Sequence, residues 1–284
     1  MNNSYLISDT KYLNCNDEYN DSLLYPDFQQ KIEEFKNLLK LLIIKGEAKT
    51  FYKFGDGDYY FLKKEPRGSA KPGIRAIKKP YFLIDHKKFT EGAKKNDYYL
   101  SLIPNMHKKM FLETFSKEFD FPSEYVYGLT ANKWFFKNLG PKIGLIGADK
   151  KIELISNLMN HDEYKEYLGL DKFFDYISIP QRFACDNLNK TKRNLIKQIN
   201  NSESEVFLIG VGHVKSGVLH ELKKHKNALY LDIGIGIDAI AGVININRPY
   251  FGNWKNFQLK NSTLYSEIDI LINKQGSFGE INHL

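Results

Sequence analysis

Three stretches of the sequence put chemically able residues close together. The first is Phe54-Gly55-Asp56-Gly57-Asp58, two carboxylates two residues apart on a glycine-flanked turn. Carboxylates so spaced can face one hard cation, and that cation can also take a diphosphate. An Asp-Gly turn capping a helix has the same composition, and the residues alone leave both readings open. A calcium loop of the EF-hand type is excluded, because its last ligand position would fall on Arg67.

The second stretch, Gly210-Val211-Gly212-His213-Val214-Lys215, follows an apolar run and precedes a helical pattern, where backbone N–H groups can receive a phosphate. Lys215 stands where a dinucleotide fingerprint needs its third glycine, so GxGxxG is not satisfied. The third is Asp232-Ile233-Gly234-Ile235-Gly236-Ile237-Asp238, where a strand-end aspartate beside glycines can accept ribose hydroxyls or position a sugar. No HExxH, GxSxG or GxxxxGK[ST] pattern occurs, which argues against zinc proteases, α/β-hydrolases and P-loop enzymes.

The elements that must hold these stretches are legible in outline. Phe28, Ile32, Phe35, Leu38, Leu39, Leu42 and Ile43 recur at helical spacing from residue 27 until Gly46. Thr50 to Phe54 reads as a strand, and a helix is expected after Asp58. Glu65 to Pro80, with two glycines, three prolines and several basic residues, reads as an exposed loop and a candidate lid. Tyr98–Ile103 reads as a strand and Asn105–Phe119 as a helix.

The later half alternates short apolar runs, at 142–147, 175–180, 206–210 and 228–232, with helical stretches at 150–159, 187–200 and 214–224. That order predicts a Rossmann-like α/β fold. Its sheet should be mostly parallel, doubly wound and flanked by helices, with ligands beyond the carboxyl ends of the strands. The expected organisation is an N-terminal arm over 1–26, one domain over 27–258 and a C-terminal extension over 259–284.

A chain of 284 residues with 42% hydrophobic content can bury a large core. No apolar run reaches the roughly 20 residues of a membrane span, and residues 1–20 lack the basic-then-apolar order of a signal peptide, so a cytoplasmic location is expected. Cys15 and Cys185 form no metal or disulfide pattern. Charge is uneven: between Lys53 and Lys109 fourteen basic residues stand against six acidic ones. Such a surface attracts anions, whether a phosphate-bearing substrate, a nucleic acid or an anionic membrane.

Lys53 to Asp58 is similar to the Arg-Phe-Gly-Asp-Gly-Glu signature of bacterial GT-D-type glycosyltransferases. Gly210 to Asp238 resembles their C-terminal order of strand, glycine turn, helix and Asp-Ile-Gly. The resemblance spans roughly residues 28–258, Arg248-Pro249-Tyr250 included. It implies a Rossmann-like domain that moves a sugar from a UDP-sugar donor to a glycan, glycoprotein or other acceptor, with Mn²⁺ or Mg²⁺ held at a D-x-E motif. Carried over by position, Asp56 and Asp58 are the metal-binding and catalytic carboxylates, with Asp58 in place of the usual Glu. Phe54, Gly55, Gly57, Gly210, Gly212, His213, Lys215, Asp232 and Gly234 then fall around the donor. Arg75 or Lys215 can add positive charge to the leaving group, and Asp238 is a candidate acceptor base.

Two other functions compete. One is a nucleic-acid-binding module using the basic region with its interleaved aromatic residues, or a transferase with DNA as acceptor. The other is a SAM-dependent methyltransferase on a similar fold, disfavoured by the missing acidic residue before Gly210.

Overall fold

The structure, a computed structural model, describes residues 28–65, 77–103, 105–243, 259 and 262–269. Helix α1 (Phe28–Ile44) leads into strand β1 (Lys49–Phe54) and the short helix α2 (Asp56–Leu62). A 3₁₀ turn (Tyr81–Leu83) then precedes α3 (His86–Ala93), β2 (Tyr98–Ser101), α4 (Asn105–Phe115), β3 (Phe121–Pro122), α5 (Glu124–Ala131) and α6 (Trp134–Asn138). The second half runs β4 (Ile143–Ala148), α7 (Asp149–Leu158), α8 (Asp162–Leu168), β5 (Asp175–Ile179), α9 (Leu188–Asn200), β6 (Val206–Gly210), α10 (Val214–Leu222), β7 (Leu229–Asp232) and α11 (Gly236–Ile240). Helix α12 (Thr263–Asp269) closes the described chain.

The seven strands among the described residues form one sheet in the order β3-β2-β1-β7-β6-β4-β5, and all of its pairings are parallel. This is the expected doubly wound α/β architecture. A parallel strand alternates its side chains between two covered faces, which is why the runs are apolar throughout. Phe51, Leu145, Leu208 and Leu231 enter the core on one face, with Ile32, Phe35 and Leu39 of α1 and with residues of α5, α7 and α11. Tyr52, Phe54, Ile146, Phe207 and Tyr230 enter the core on the other, with residues of α2, α3, α4, α9 and α10. Burying each large apolar side chain contributes about 1.5–3 kcal/mol, so the chain's alternating parity fixes which residues can reach solvent at the strand ends.

Several boundaries differ from expectation for local reasons. Helix α4 stops at Phe115 rather than Phe119, because Ser116 adopts a left-handed φ of 55°. Asn187 lies just outside α9, where its side chain caps the helix by accepting from Lys190 N–H. Within the stretch expected to be an extension, α12 packs on α7, and its Leu264 and Ile268 are buried in the first core. The arm at 1–26, most of the candidate lid and Arg248-Pro249-Tyr250 lie outside the described residues. No helix among the described residues is long and apolar enough to cross a membrane.

Candidate functional site

Two neighbouring strand pairs send their following helices to opposite faces, and each such divergence opens a crevice at the carboxyl edge. After β4 the chain turns to α7 on the first face, and after β6 to α10 on the second. That opening is closed. Gly147 and Gly210 are paired across β4 and β6, and a Cβ on either would meet Ile237 of α11, at 3.2 and 2.6 Å respectively. Ile237 is fully buried there. The other divergence lies between β1, followed by α2, and β7, followed by α11. The Gly55–Asp58 and Ile233–Asp238 stretches flank it.

The β1–β7 ladder runs from Lys49↔Leu229 to Phe51↔Leu231. Beyond it, Asp232 replaces ladder bonding. Its Oδ2 accepts from Lys53 N–H at 3.1 Å and its Oδ1 from Gly234 N–H at 2.9 Å. Lys215, in the first turn of α10, brings its ammonium to Asp232 Oδ2 at 2.8 Å and Asp58 Oδ2 at 3.2 Å, and also donates to the Lys53 carbonyl. Asp58 Oδ2 caps α2 by accepting from Gly55 N–H at 2.9 Å, and its Oδ1 accepts from the Tyr52 hydroxyl at 3.2 Å. The Tyr52 ring lies under the Lys215 ammonium at 4.7 Å, and its hydroxyl exchanges a hydrogen bond with Ser216 at 2.8 Å. Burial, with the Asp58 charge second, holds the Tyr52 phenol well above its usual range. Asp58, Asp232 and Lys215 thus form a buried lock, two carboxylates sharing one ammonium, that joins β1, α2, β7 and α10.

Strand parity turns Lys53 the other way. Its side chain is buried on the first face, with the ammonium over the Tyr127 ring at 5.1 Å. A Cβ on Gly234, whose φ is +53°, would fall 2.5 Å from Lys53 Cε and 3.3 Å from Nζ, and one on Gly55 would fall 4.0 Å from Nζ. Gly234 therefore makes room for the lysine, and the ammonium sits between the two glycine turns. No described carboxylate lies within ion-pair distance of it. Its charge acts on Glu124, at the start of α5.

Glu124 is buried. Its Oε1 accepts from Ile103 N–H at 3.3 Å, and the Ser123 hydroxyl and the backbone N–H at the start of α5 lie beside the carboxyl. Burial raises its carboxyl to about 7, against the opposing pull of backbone N–H groups and the Lys53 charge. Neither Lys53, read only as part of a motif, nor Glu124 was legible as a site residue. A Glu opening a helix is ordinary in sequence, and only the packing of α5 against the sheet buries it.

The remaining expected residues have definite places. Asp56, the first residue of α2, is partly exposed, and its carboxylate has no hydrogen bond or ion pair to a described residue. Phe54 is fully buried, edge-on to Phe111 and Phe115, so its side chain serves the second core. Gly57 is buried within α2. Gly210 lets β6 approach the Gly234 carbonyl, which a Cβ would meet at 2.6 Å. Gly212 is exposed with φ +55° and open space around it, so the turn needs glycine for its backbone. His213 stacks on Phe61 at 4.4 Å, with the rings 2° from parallel. Asp238 is held by Lys151 Nζ at 2.5 Å. Arg75 lies outside the described residues.

A preformed cation site is not present among the described residues, where no group of three or more His, Cys, Asp or Glu converges. Asp58 is committed to an ammonium, a hydroxyl and an N–H, which leaves Asp56 as the carboxylate of the pair that is open to a cation.

No protein-family profile matches the sequence, and no curated protein matches it. Among solved structures, the chain is similar to a Streptococcus sanguinis protein described as "A New Glycosyltransferase (DUF1792)", with 16% identity over 72% of this chain and 81% of that one and a TM-score of 0.44. At that identity and score, the likeness assigns this chain no activity.

Proposed function

We infer that the chain is a glycosyltransferase that uses a nucleotide-sugar donor, with the β1–β7 crevice as its donor site. The observation carrying this reading is Lys53: a buried ammonium, free of described carboxylates, lodged between the two glycine turns that resemble the family's motifs. A cation held in a water-poor crevice interacts strongly with an anion, and a leaving nucleoside diphosphate is the anion that glycosyl transfer releases.

In this reading Lys53 receives the charge that develops on the diphosphate as the sugar–phosphate bond breaks. Gly55 and Gly234 let the phosphates approach it. Lys215 does not contact the donor; together with Asp58 and Asp232 it holds the two turns at fixed separation. Mn²⁺ or Mg²⁺ arriving with the diphosphate would be held by Asp56, supplying further neutralisation of the leaving group. Asp238, paired to Lys151, orients the α11 side of the crevice, where the acceptor would enter. The acceptor is a glycan or glycoprotein hydroxyl in the reading favoured by the resemblance.

The test is thermal stabilisation across a nucleotide panel with and without Mn²⁺, followed by transfer assays on Asp56→Asn and Lys53→Met. A shift specific to UDP or another sugar-carrying nucleotide, weakened in both variants, supports the reading. A shift with SAM or NAD instead overturns it, as does unchanged sugar transfer by Asp56→Asn and Lys53→Met together.

A further inference from the structure

The basic region has a feature that a diphosphate site does not use. Phe82 and Leu83, in the 3₁₀ turn Tyr81–Leu83, are 83% and 60% exposed, two of the three most exposed large apolar residues among those described. Single exposed apolar residues are common and need no explanation. Here two are adjacent on a short rigid turn, and lysines surround them.

The turn is anchored from both sides. Before it, the N–H groups of Lys78 and Lys79 donate to Asp186 Oδ1 at 2.9 and 3.3 Å. After it, Ile84 is buried in the second core and Asp85 caps α3. Lys78, Lys79 and Lys87 are exposed around the turn, and Lys88 reaches across to Asn189 beside the exposed Lys190. The first turn of α3 carries Lys87 and Lys88 and no acid, which sets positive charge against the positive end of the helix. Further along the helix Lys87 reaches Glu91 at 3.9 Å, a long pair between exposed side chains. The turn also lies at the carboxyl edge of the sheet, because α3 descends from it to meet the start of β2 and Asp186 follows β5.

We propose that this edge docks on an anionic lipid bilayer, with Phe82 and Leu83 inserted among the acyl chains and Lys78, Lys79 and Lys87 on the headgroups. The two halves of the surface match the two layers that a bilayer presents: negative charge outside, hydrocarbon just beneath. A nucleic acid offers the lysines the same phosphate charge but gives an aliphatic Leu83 nothing to bury against. Docked in this way, the edge bearing the Gly55 and Gly234 turns faces the lipid. The proposal does not depend on the donor reading, since binding is measured without nucleotide.

The experiment is sedimentation of the full chain with vesicles of phosphatidylcholine alone and with one-third phosphatidylglycerol, at two salt concentrations. Two variants accompany it, Phe82→Ser/Leu83→Ser and Lys78→Gln/Lys79→Gln/Lys87→Gln. All five side chains are exposed, so each variant should keep the parent's circular dichroism and melting temperature. The expected result is salt-sensitive binding to the anionic vesicles only, weakened about fivefold for each lysine removed and at least tenfold by the double serine variant. Absence of binding to anionic vesicles overturns the proposal. So does binding that the double serine variant leaves unchanged, which would be adsorption by charge alone. A chain that ignores vesicles but binds a short DNA or RNA duplex in a salt-dependent way would assign this surface to nucleic acid.

Discussion

Lys53 and Lys215 end on opposite faces of β1 with opposite tasks. Removing Lys215 strands two buried carboxylates: Asp58 keeps Gly55 N–H and the Tyr52 hydroxyl and Asp232 keeps two N–H partners, but both lose the common cation. Lys215→Met should therefore cost about 3–5 kcal/mol in urea denaturation. Lys53→Met should cost far less, because Glu124 can take up a proton when the neighbouring charge disappears. It should instead abolish stabilisation by the nucleotide. Equal losses of stability in the two variants would contradict this division.

Glu124 carries a pH dependence of its own. Its folded-state value of about 7 lies above the ordinary 4.5, so between these pH values the folded chain holds a proton that the unfolded chain releases. Stability contributed by the neutral form is present at low pH and is lost as pH rises through that window, by an amount on the order of 3 kcal/mol. Glu124→Gln stays neutral in both states. Denaturation curves of the two proteins should converge near pH 4.5 and diverge in favour of the variant by pH 8. A constant difference across that range would show that the buried carboxyl does not titrate as its surroundings imply.

Among the elements, the contact of α3 with α10 is set by glycine. A Cβ on Gly92 would fall 2.3 Å from the Ser216 carbonyl oxygen and 3.2 Å from Gly217 Cα, both backbone atoms that can move only if a helix moves. Gly92→Ala should cost about 1–3 kcal/mol and loosen the helix that carries Lys215. On the same helix, a Cβ on Gly217 would meet Leu188 Cδ2 at 2.4 Å, the end of a side chain that can turn. Gly217→Ala should cost less, and comparison of the two denaturation midpoints tests the difference.

The same distinction between local pattern and tertiary packing decides how much could be read in advance. Helix α1 was legible because Ile32, Phe35, Leu39 and Leu42 keep a single apolar stripe, and all four are buried. β4, β6 and β7 were legible as short apolar runs between helical patterns. Helix α5 gave no signal, since Tyr125, Val126, Tyr127 and Leu129 are buried on every side and leave no polar face to mark a period. Its Glu124 was missed with it. Phe54 was placed at the ligand because it adjoins the motif, but parity with Tyr52 sends it into the core beside α4. Lys53, one residue earlier, is turned toward the crevice.

At the scale of the molecule, the doubly wound sheet offers more than one place where a ligand could bind, and their chemical states differ. Ile237 fills the β4–β6 divergence. A recess of about 250 Å³ beyond β5 is lined by Asp149, Ser178, Thr191, Asn194 and Gln198. Several of its polar groups are already bonded: Asp149 Oδ1 accepts from the N–H groups of Lys150 and Gln181, and Gln198 bonds Ser178 through both N–H and carbonyl. A ligand there would have to break those bonds to make its own. Between β1 and β7, Lys53 has no ion pair and Asp56 no hydrogen bond or ion pair with a described residue, while the lock beneath them is complete, so a ligand gains charge contacts without dismantling that lock. Hydrogen exchange with and without the nucleotide found in the thermal panel should show protection at residues 55–58 and 233–238. Residues 149–151 and 178–181 should be unchanged. Protection confined to the β5 recess would move the donor site to the other half of the sheet, and Lys53→Met would then leave nucleotide binding intact.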